Sequence, residues 1–445
     1  MADLVRKRNE ELARILHQLS WSPERLAREV NLVLPAGLSI SLTAPYKWRD
    51  RGMVPRAPHD LTVCEVLSRA VGIAVTYEQL WGRMGSNRGA KVLSARLLTD
   101  PWTADTAQLA LREAGAQAAP VRLTDLFRGG ELAAAVEHWS SPPPPLTGGE
   151  GALRVTGGQL TDLRLGYHGK RRLAQACGGG LVLEPARAEL AMAGKLLELG
   201  GYADDERLGR ALYGAAGRLA RLVGWAAADL GQEAAAQRSY VAALRAAHAA
   251  GRPRLAMSVV GSLAVQVTYQ GAGRGLDPAA LLGRALAAVG DRLSQRQRAR
   301  QLGRLALARA RSGQRAGAEA AAEEAFALLG AEGGWRRAEL LGLVGGAYLF
   351  LDEHEQARPM LTEAVAGAAG ARSRALLLIR LAGSWQRTGE AVRAAEAADQ
   401  ARRLAAGMQS QVVARALREL DGRPGQGAAP AVPGRWAEFG QEGLG

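Results

Sequence analysis

A turn signal that recurs along the C-terminal half of the chain constrains its fold more than any other feature. A glycine or aspartate is followed five positions later by a small residue or proline, and twelve positions later by alanine. The signal returns about every 40 residues, with turn residues at Gly231, Gly273, Gly313, Asp352 and Gly389. Stacked helix pairs need a turn residue between two helices and small residues where the helices cross. We therefore expect an all-α fold, with an α-solenoid of helix pairs over residues 186–421.

The repeated pattern is similar to a known type of helical repeat. Tyr348 and Trp385 lie four residues before the turn in two of the repeats. The pattern resembles the tetratricopeptide repeat, slightly lengthened and with most of the large consensus residues replaced by alanine. The alternative is an ordinary alanine-rich helical bundle, because alanine matches arise easily in this composition.

Composition limits the architecture and suggests a partner. A chain of 445 residues is too long for one core, and only 5% of its residues are aromatic, which favours helices packed through small side chains. The net charge of +14 suits a polyanionic partner. Two cysteines in separate segments, without a CxxC pair, indicate reduced thiols in a cytoplasmic protein. No window of about 18 uncharged apolar residues occurs, so we expect no contact with a membrane.

Residues 1–83 show the pattern of a compact helical domain. Ser22 is a good N-cap, with Pro23 at the first helical position. After a loop, Thr43 is expected to cap a further helix that ends at Gly52. Two short amphipathic helices between other helical patterns predict a helix-turn-helix DNA-binding domain.

Several side chains of this domain are candidates for DNA contact. In a helix-turn-helix the second helix enters the major groove, where Lys47 or Arg51 could read guanine and Thr43 or Tyr46 could meet phosphate or a thymine methyl group. Trp48 is expected to face the core. The candidates for phosphate contact are Arg25, Arg28 and Arg56. The alternative is a solvated helix face, favoured by the 11-residue loop, Pro45 in the first turn and Asp50 beside the groove side.

Between the two predicted domains lies a connecting region over residues 84–185. Its proline-rich linker covers residues 141–150, where four consecutive prolines are followed by glycines. The last segment, residues 422–445, is rich in glycine, proline and alanine and is expected to be disordered.

The sequence contains no set of residues that indicates catalysis. The six histidines are scattered, without metal-ligand spacing, and no nucleophile or phosphate-loop motif occurs. An apolar run entering a glycine-rich turn, residues 259–275, has the order of a dinucleotide site, but its third glycine is replaced by leucine. We therefore expect no enzyme activity, no cofactor and no metal, and keep nucleotide binding at residues 259–275 as a minor alternative.

Three segments carry a resemblance to a known group of proteins. The runs RNEELARILHQLSWSPERLAREVN and LTAPYKWRDRGMVPRAPHDLTVCEVLSRAVG resemble the XRE-like helix-turn-helix domain of actinobacterial regulators. The run LARLVGWAAADLGQEAAAQRSYVAALRAAHAAG resembles the start of their tetratricopeptide-like half. The resemblance implies a transcriptional regulator whose base-reading residues fall on Thr43, Tyr46 and Lys47. Pro45 and Arg49 depart from that pattern, which usually has apolar residues there.

The leading interpretation is a cytoplasmic transcriptional regulator that binds double-stranded DNA. Its helical half is expected to bind a protein, peptide or small-molecule effector and to form a homodimer, because operators read by this motif are commonly two-fold symmetric. The alternative is a protein–protein adaptor whose helix-turn-helix domain no longer binds DNA. The charge of the face that carries Tyr46, Lys47 and Arg51 separates the two, since neutralisation by Asp50 and Glu24 would favour the adaptor.

Overall fold

A computed structural model describes most of the chain and divides it into two compact units, residues 1–93 and residues 94–445. The described residues are 8–34, 38–55, 59–71, 75, 80–81, 97–116, 127, 129–146, 151–202, 205–270, 277–330 and 333–422. The predicted boundary after residue 83 and the observed division both fall outside them, as do Arg56 and the predicted disordered tail beyond residue 422. The described residues are predominantly helical, which confirms the predicted all-α class.

Within the described residues of the first unit, four helices supply most of the buried core. They are α1 (Glu10–Gln18), α2 (Pro23–Val33), α3 (Ala44–Arg51) and α4 (His59–Val71). Ser22 caps α2 as predicted, because its hydroxyl accepts from the backbone N–H of Arg25 at 3.2 Å. The prediction that Thr43 caps α3 is wrong: its side chain makes no capping bond and lies instead 3.2 Å from the Ser41 hydroxyl. The helix ends at Gly52, as predicted, where φ is +58°.

The second unit contains the remaining described helices. In chain order they are α5 (Ala104–Ala116), α6 (Gly129–His138), α7 (Gly157–Cys177), α8 (Gly180–Leu199), α9 (Glu206–Asp229), α10 (Glu233–Ala249), α11 (Pro253–Gln270), α12 (Pro278–Val289), α13 (Gln295–Arg311), α14 (Arg315–Leu329), α15 (Trp335–Phe350), α16 (His354–Gly367), α17 (Ala371–Arg387), α18 (Ala391–Ala405) and α19 (Gln411–Leu420). Two strands of two residues, β1 (Leu153–Arg154) and β2 (Gly200–Gly201), pair in parallel.

Four of the predicted turn residues join consecutive, closely packed helices. Gly231, Gly313, Asp352 and Gly389 all have φ between +62° and +81°, a region that most side chains avoid. They separate α9 from α10, α13 from α14, α15 from α16 and α17 from α18. The alanines five and twelve positions after each turn are buried where the two helices meet. The predicted turns are therefore confirmed, except at Gly273, which lies outside the described residues.

The residues expected to connect two domains instead contribute to the core of the second unit. Apolar side chains of α5, α6, α7 and α8 belong to the same buried cluster as those of α9 to α13. The predicted start of the solenoid at residue 186 falls inside α8. In the proline-rich segment, Leu146 packs against this cluster, and the Pro144 carbonyl accepts from Arg210 at 3.4 Å. Proline stiffness and this anchoring hold residues 141–146 on the surface of the unit.

A buried carboxylate joins distant parts of the second unit. Asp229, at the end of α9, accepts from Arg372 Nε at 2.8 Å and from the Ser410 hydroxyl at 2.7 Å. Its other oxygen accepts from the Gly179 N–H at 2.7 Å. The Arg372 guanidinium also stacks over the Trp225 ring, 4.9 Å from its centroid. Because a buried charge needs a partner and hydrogen bonds, these residues hold the starts of α8, α17 and α19 against the end of α9.

Close packing explains the glycines before α8. A Cβ on Gly179 would lie 2.6 Å from the Ala226 carbonyl oxygen, and one on Gly178 would lie 2.7 Å from the Gln409 carbonyl oxygen. Gly180 donates its N–H to that same carbonyl at 2.9 Å. Glycine is therefore required at the point where the chain passes between α9 and the segment that precedes α19.

Removing the buried carboxylate should destabilise the second unit strongly. Asp229→Ala leaves the Arg372 guanidinium buried without its counter-charge, so we expect a loss of about 3–5 kcal/mol in the free energy of unfolding, measured by urea denaturation. The matched control is Glu363→Ala, which removes an exposed ion pair with Arg337 and should cost about 0–1 kcal/mol. Equal losses in the two variants would contradict this role of Asp229.

Two glycine substitutions should change stability in opposite directions. Gly313→Ala places a Cβ at φ +73°, which should cost about 1–2 kcal/mol although no atom lies within 4 Å of that Cβ. Gly283→Ala lies inside α12 with equally open space, and should stabilise the fold by about 1 kcal/mol through helix propensity. Thermal unfolding of both variants checks the difference in sign, and a stabilising Gly313→Ala would refute the turn assignment.

Candidate nucleic-acid interface

Helices α2 and α3 carry the predicted DNA-contacting side chains and pack against each other. The loop between them is held by the side-chain amide of Asn31. Its Nδ2 donates to the Ile40 carbonyl at 3.0 Å, and its Oδ1 accepts from the Ile40 N–H at 2.8 Å. This pair of hydrogen bonds mimics a strand pairing and fixes the last residues of the loop relative to α2. The length of the loop is thus compatible with a defined position of α3.

The inner side of α3 is apolar and well packed. Pro45 and Trp48 are buried, and Trp48 meets Trp81 edge-to-face with ring centroids 6.3 Å apart. The prediction that Trp48 faces the core is confirmed. Pro45 lies in the first turn, where its missing N–H costs no intrahelical hydrogen bond. Pro45 therefore starts α3 and packs beneath it, and does not break the helix.

The outer side of α3 presents three of the four predicted groove residues to solvent. Thr43, Lys47 and Arg51 are exposed, whereas Tyr46 is half-buried. The Tyr46 hydroxyl donates to Glu24 Oε1 on α2 at 2.5 Å. Among the described residues, neither Lys47 nor Arg51 has an ion-pair partner. The two cations are thus open to an external anion, and Tyr46 ties α3 to α2.

The acids of this face have their own partners. Asp50 accepts from Arg49 Nε at 2.7 Å and from Arg49 Nη2 at 2.9 Å, a bidentate pair that holds the pKa of the Asp50 carboxyl below its usual range. The hydrogen bond from Tyr46 lowers the pKa of Glu24 in the same way. Asp50 and Glu24 are therefore occupied by Arg49 and Tyr46, and they leave Lys47 and Arg51 as unneutralised cations.

Helix α2 contributes the two described candidates for phosphate contact. Arg25 and Arg28 are both exposed. The Arg25 guanidinium stacks over the Trp21 ring at 5.0 Å from the centroid, which orients the side chain while its donors remain in solvent. Arg28 is near enough to Glu24 for its charge to act on that carboxylate. The third candidate, Arg56, lies outside the described residues.

Sequence reasoning missed the role of Arg49. It counted Arg49 as a departure from an apolar pattern, whereas the structure shows it half-buried, stacked over the Tyr46 ring at 5.1 Å and bound to Asp50. The adjacency of Arg49 and Asp50 in the sequence was the available signal. This signal is weak, because neighbouring helical residues do not normally face each other.

The structure gives no support to the other chemistry considered from the sequence. Residues 259–269 lie within helix α11, so this run is not the strand that a dinucleotide site needs, and residues 271–276 lie outside the described residues. Within the described residues, no three histidine, cysteine or acidic side chains are grouped as a metal site requires. None of the described helices combines the length and apolarity needed to cross a bilayer.

Comparison with known proteins adds one match to the first unit. A family model described as the SP15 N-terminal domain matches residues 12–81. No curated protein matches the chain. Among solved structures, the chain is similar to the crystal structure of BtubC (BKLC) from P. vanneervenii, at 16% identity and a TM-score of 0.32, covering 64% of this chain and 98% of that one. No function follows from similarity at this level.

The link between α2 and α3 can be tested through the Glu24 carboxyl. Tyr46→Phe removes the hydroxyl that lowers the Glu24 pKa, so that pKa should rise towards the ordinary glutamate value, as followed by NMR titration of the side-chain carboxyl. Asp50 is the internal reference, because Arg49 holds its pKa down in both proteins. A Glu24 pKa that does not move in the variant would refute the hydrogen bond.

Proposed function

We propose that the protein is a DNA-binding transcriptional regulator of the cytoplasm. The first unit acts as the helix-turn-helix domain and reads DNA through α3. The second unit acts as a tetratricopeptide-like solenoid that binds an effector and forms a homodimer. The observation that carries the proposal is the exposed, unneutralised pair Lys47 and Arg51 on α3, whose neighbouring acids are already bound to Arg49 and Tyr46.

The exposed cations divide into two roles. Lys47 and Arg51 lie one helical turn apart on α3, a spacing that lets both enter one major groove and donate to guanine O6 and N7. Arg25 and Arg28 on α2 neutralise phosphates, which fixes the domain on the duplex without specifying sequence. Tyr46, bound to Glu24, has a positioning role, because its hydroxyl sets the position of α3 against α2.

The second unit supports the role of scaffold and sensor. Its helix pairs are joined by turns of one conformation and pack through alanine, as a repeat array requires. Such an array offers an extended surface to a partner. Dimerisation would place two copies of α3 about one turn of DNA apart, at about 34–36 Å, and would predict a palindromic operator.

Removing the two cations of α3 should weaken binding to a specific operator. Genome-wide mapping of bound DNA identifies the operator, and fluorescence anisotropy then gives the affinity of the wild type and of Lys47→Ala and Arg51→Ala. Each substitution should cost about 1–3 kcal/mol and relax specificity at one base pair. The matched control is Arg14→Ala, which removes an exposed arginine of the same unit that is already paired with Glu11.

Two results would decide against this function. Wild-type protein that binds no duplex DNA at low salt would leave the adaptor as the better interpretation, with the first unit serving as a protein-binding module. Equal loss of affinity in Arg14→Ala and Lys47→Ala would mean that only net charge matters, and would remove the base-reading role of α3.

A further inference from the structure

Five arginines of the second unit converge where its central helices pack. They are Arg171 on α7, Arg218 and Arg221 on α9, and Arg300 and Arg304 on α13. We call this group the arginine cluster. Arg221 and Arg304 are almost completely buried, and Arg171, Arg218 and Arg300 are half-buried.

Helix α11 forms one wall of the arginine cluster. Arg221 donates through Nη1 to the Ser262 hydroxyl at 3.4 Å. A Cβ on the adjacent Gly261 would lie 2.1 Å from Arg304 Nη1, so the Arg304 side chain lies directly against the backbone there. Two guanidinium groups from different helices therefore reach neighbouring positions on α11.

Helix α7 provides a second contact of the arginine cluster. Arg221 Nη2 donates to the Tyr167 hydroxyl at 3.2 Å, and Arg171 follows Tyr167 by one helical turn. Arg218 precedes Arg221 by three positions and thus shares its side of α9. The pKa of His168 shows that these positive charges are close to it. Partial burial lowers this pKa, and the charges of Arg171 and then Arg218 lower it further. Because His168 is exposed, this side of the arginine cluster is open to solvent.

Several arginine charges act on one another and on His168 at the open side of the arginine cluster. Glu339 on α15 accepts from Arg300 Nε at 2.7 Å, while Arg300 Nη2 is buried and makes no hydrogen bond to a described residue. Within the described residues, neither Arg171 nor Arg218 forms an ion pair. Burial lowers the pKa of Arg171, and the positive charges of Arg221 and Arg300 lower it further. Tyr167 and Glu339 act in the opposite direction and raise this pKa. Partly buried cations in this number are stabilised by an anion.

We infer that the arginine cluster is a binding site for a small ligand that carries phosphate groups. Guanidinium groups present rigid pairs of N–H donors that match phosphate oxygens, and they stay protonated when buried. Arg171 and Arg218, at the open side, contact the phosphate groups of the ligand directly. The buried arginines make the electrostatic potential of the site more positive. As an effector site this inference rests on the proposed function; as a ligand site it does not.

Pyrophosphate is the probe for this site, titrated into the full-length protein by calorimetry without DNA. We expect saturable binding with one site per chain and a rise in the unfolding temperature with ligand concentration. Arg171→Gln and Arg218→Gln should each weaken binding about ten- to hundredfold, because each removes charged hydrogen bonds to the ligand. The matched control is Arg403→Gln on α18, an exposed arginine outside the arginine cluster, which should bind as the wild type does.

A second readout separates a bound anion from a general salt effect. Pyrophosphate in the arginine cluster offsets the charges that act on His168, so the His168 pKa should rise on binding, followed by NMR with His168→Gln to assign the signal. Chloride at matched ionic strength should reproduce little of this shift. A His168 pKa that pyrophosphate and chloride move equally would overturn the site.

Two further experiments test whether the anion binds at the DNA-contacting residues and whether the site prefers phosphate over other anions. The Lys47→Ala/Arg51→Ala double variant should retain pyrophosphate binding; loss of binding there would place the anion on the first unit and overturn the assignment. Citrate tests a polycarboxylate in place of phosphate, and tighter binding of citrate than of pyrophosphate would overturn the ligand class. Failure of the wild type to bind DNA, with pyrophosphate binding intact, would refute the proposed function alone.

Discussion

The buried carboxylate of Asp229 is the constraint on which the second unit depends most. It accepts from Arg372 and Ser410, which lie 143 and 181 positions further along the chain, and from the Gly179 N–H 50 positions before it. In an open repeat array each helix pair touches only its neighbours, and stability is close to a sum of local terms. Here the buried carboxylate of Asp229 is unfavourable unless three distant segments of the chain all supply its hydrogen-bond donors. Helices α8, α17 and α19 must therefore form cooperatively with α9.

Small residues and arginine divide the interior between them. Alanines and glycines leave room beside a helix for long side chains, as at Gly261, where the Arg304 guanidinium lies against the helix backbone. The room between helices is then filled by long side chains, and Arg380 shows the result: it donates to the Gly342 carbonyl at 3.1 Å and to the Tyr269 hydroxyl at 2.9 Å. Each such arginine bridges two or three helices. Buried arginines therefore fill interior space that, in other helical proteins, aromatic side chains can occupy.

Structural features that depend on residues close together in the sequence could be predicted from it, whereas features that depend on distant contacts could not. Ser22 as a cap and the turns at Gly231 and Gly389 depend on neighbouring residues and the sign of φ, so the pattern found them. The hydrogen bonds of Asp229 join residues that are far apart in the sequence, so no local spacing of residues predicts them. In the candidate site, burial of Trp48 was predictable from helical periodicity. The Tyr46–Glu24 bond was not, because it depends on how α2 and α3 pack, and it decides which charges of the face remain available.

The two candidate sites use arginine in opposite ways, and this bears on regulation. Within the first unit, Asp50 is paired with Arg49 and Glu24 accepts from Tyr46, so neither acid is paired with Lys47 or Arg51. In the arginine cluster, Arg171 and Arg218 form no ion pair within the described residues, so the inferred anion would reduce the repulsion between these cations and stabilise the second unit. If that ligand changes DNA affinity, linkage requires DNA to change ligand affinity by the same factor. Since the sites lie in separate units, the proposed dimerisation is one way to couple them: under the proposed function, a change in dimerisation would alter how many copies of α3 bind one operator.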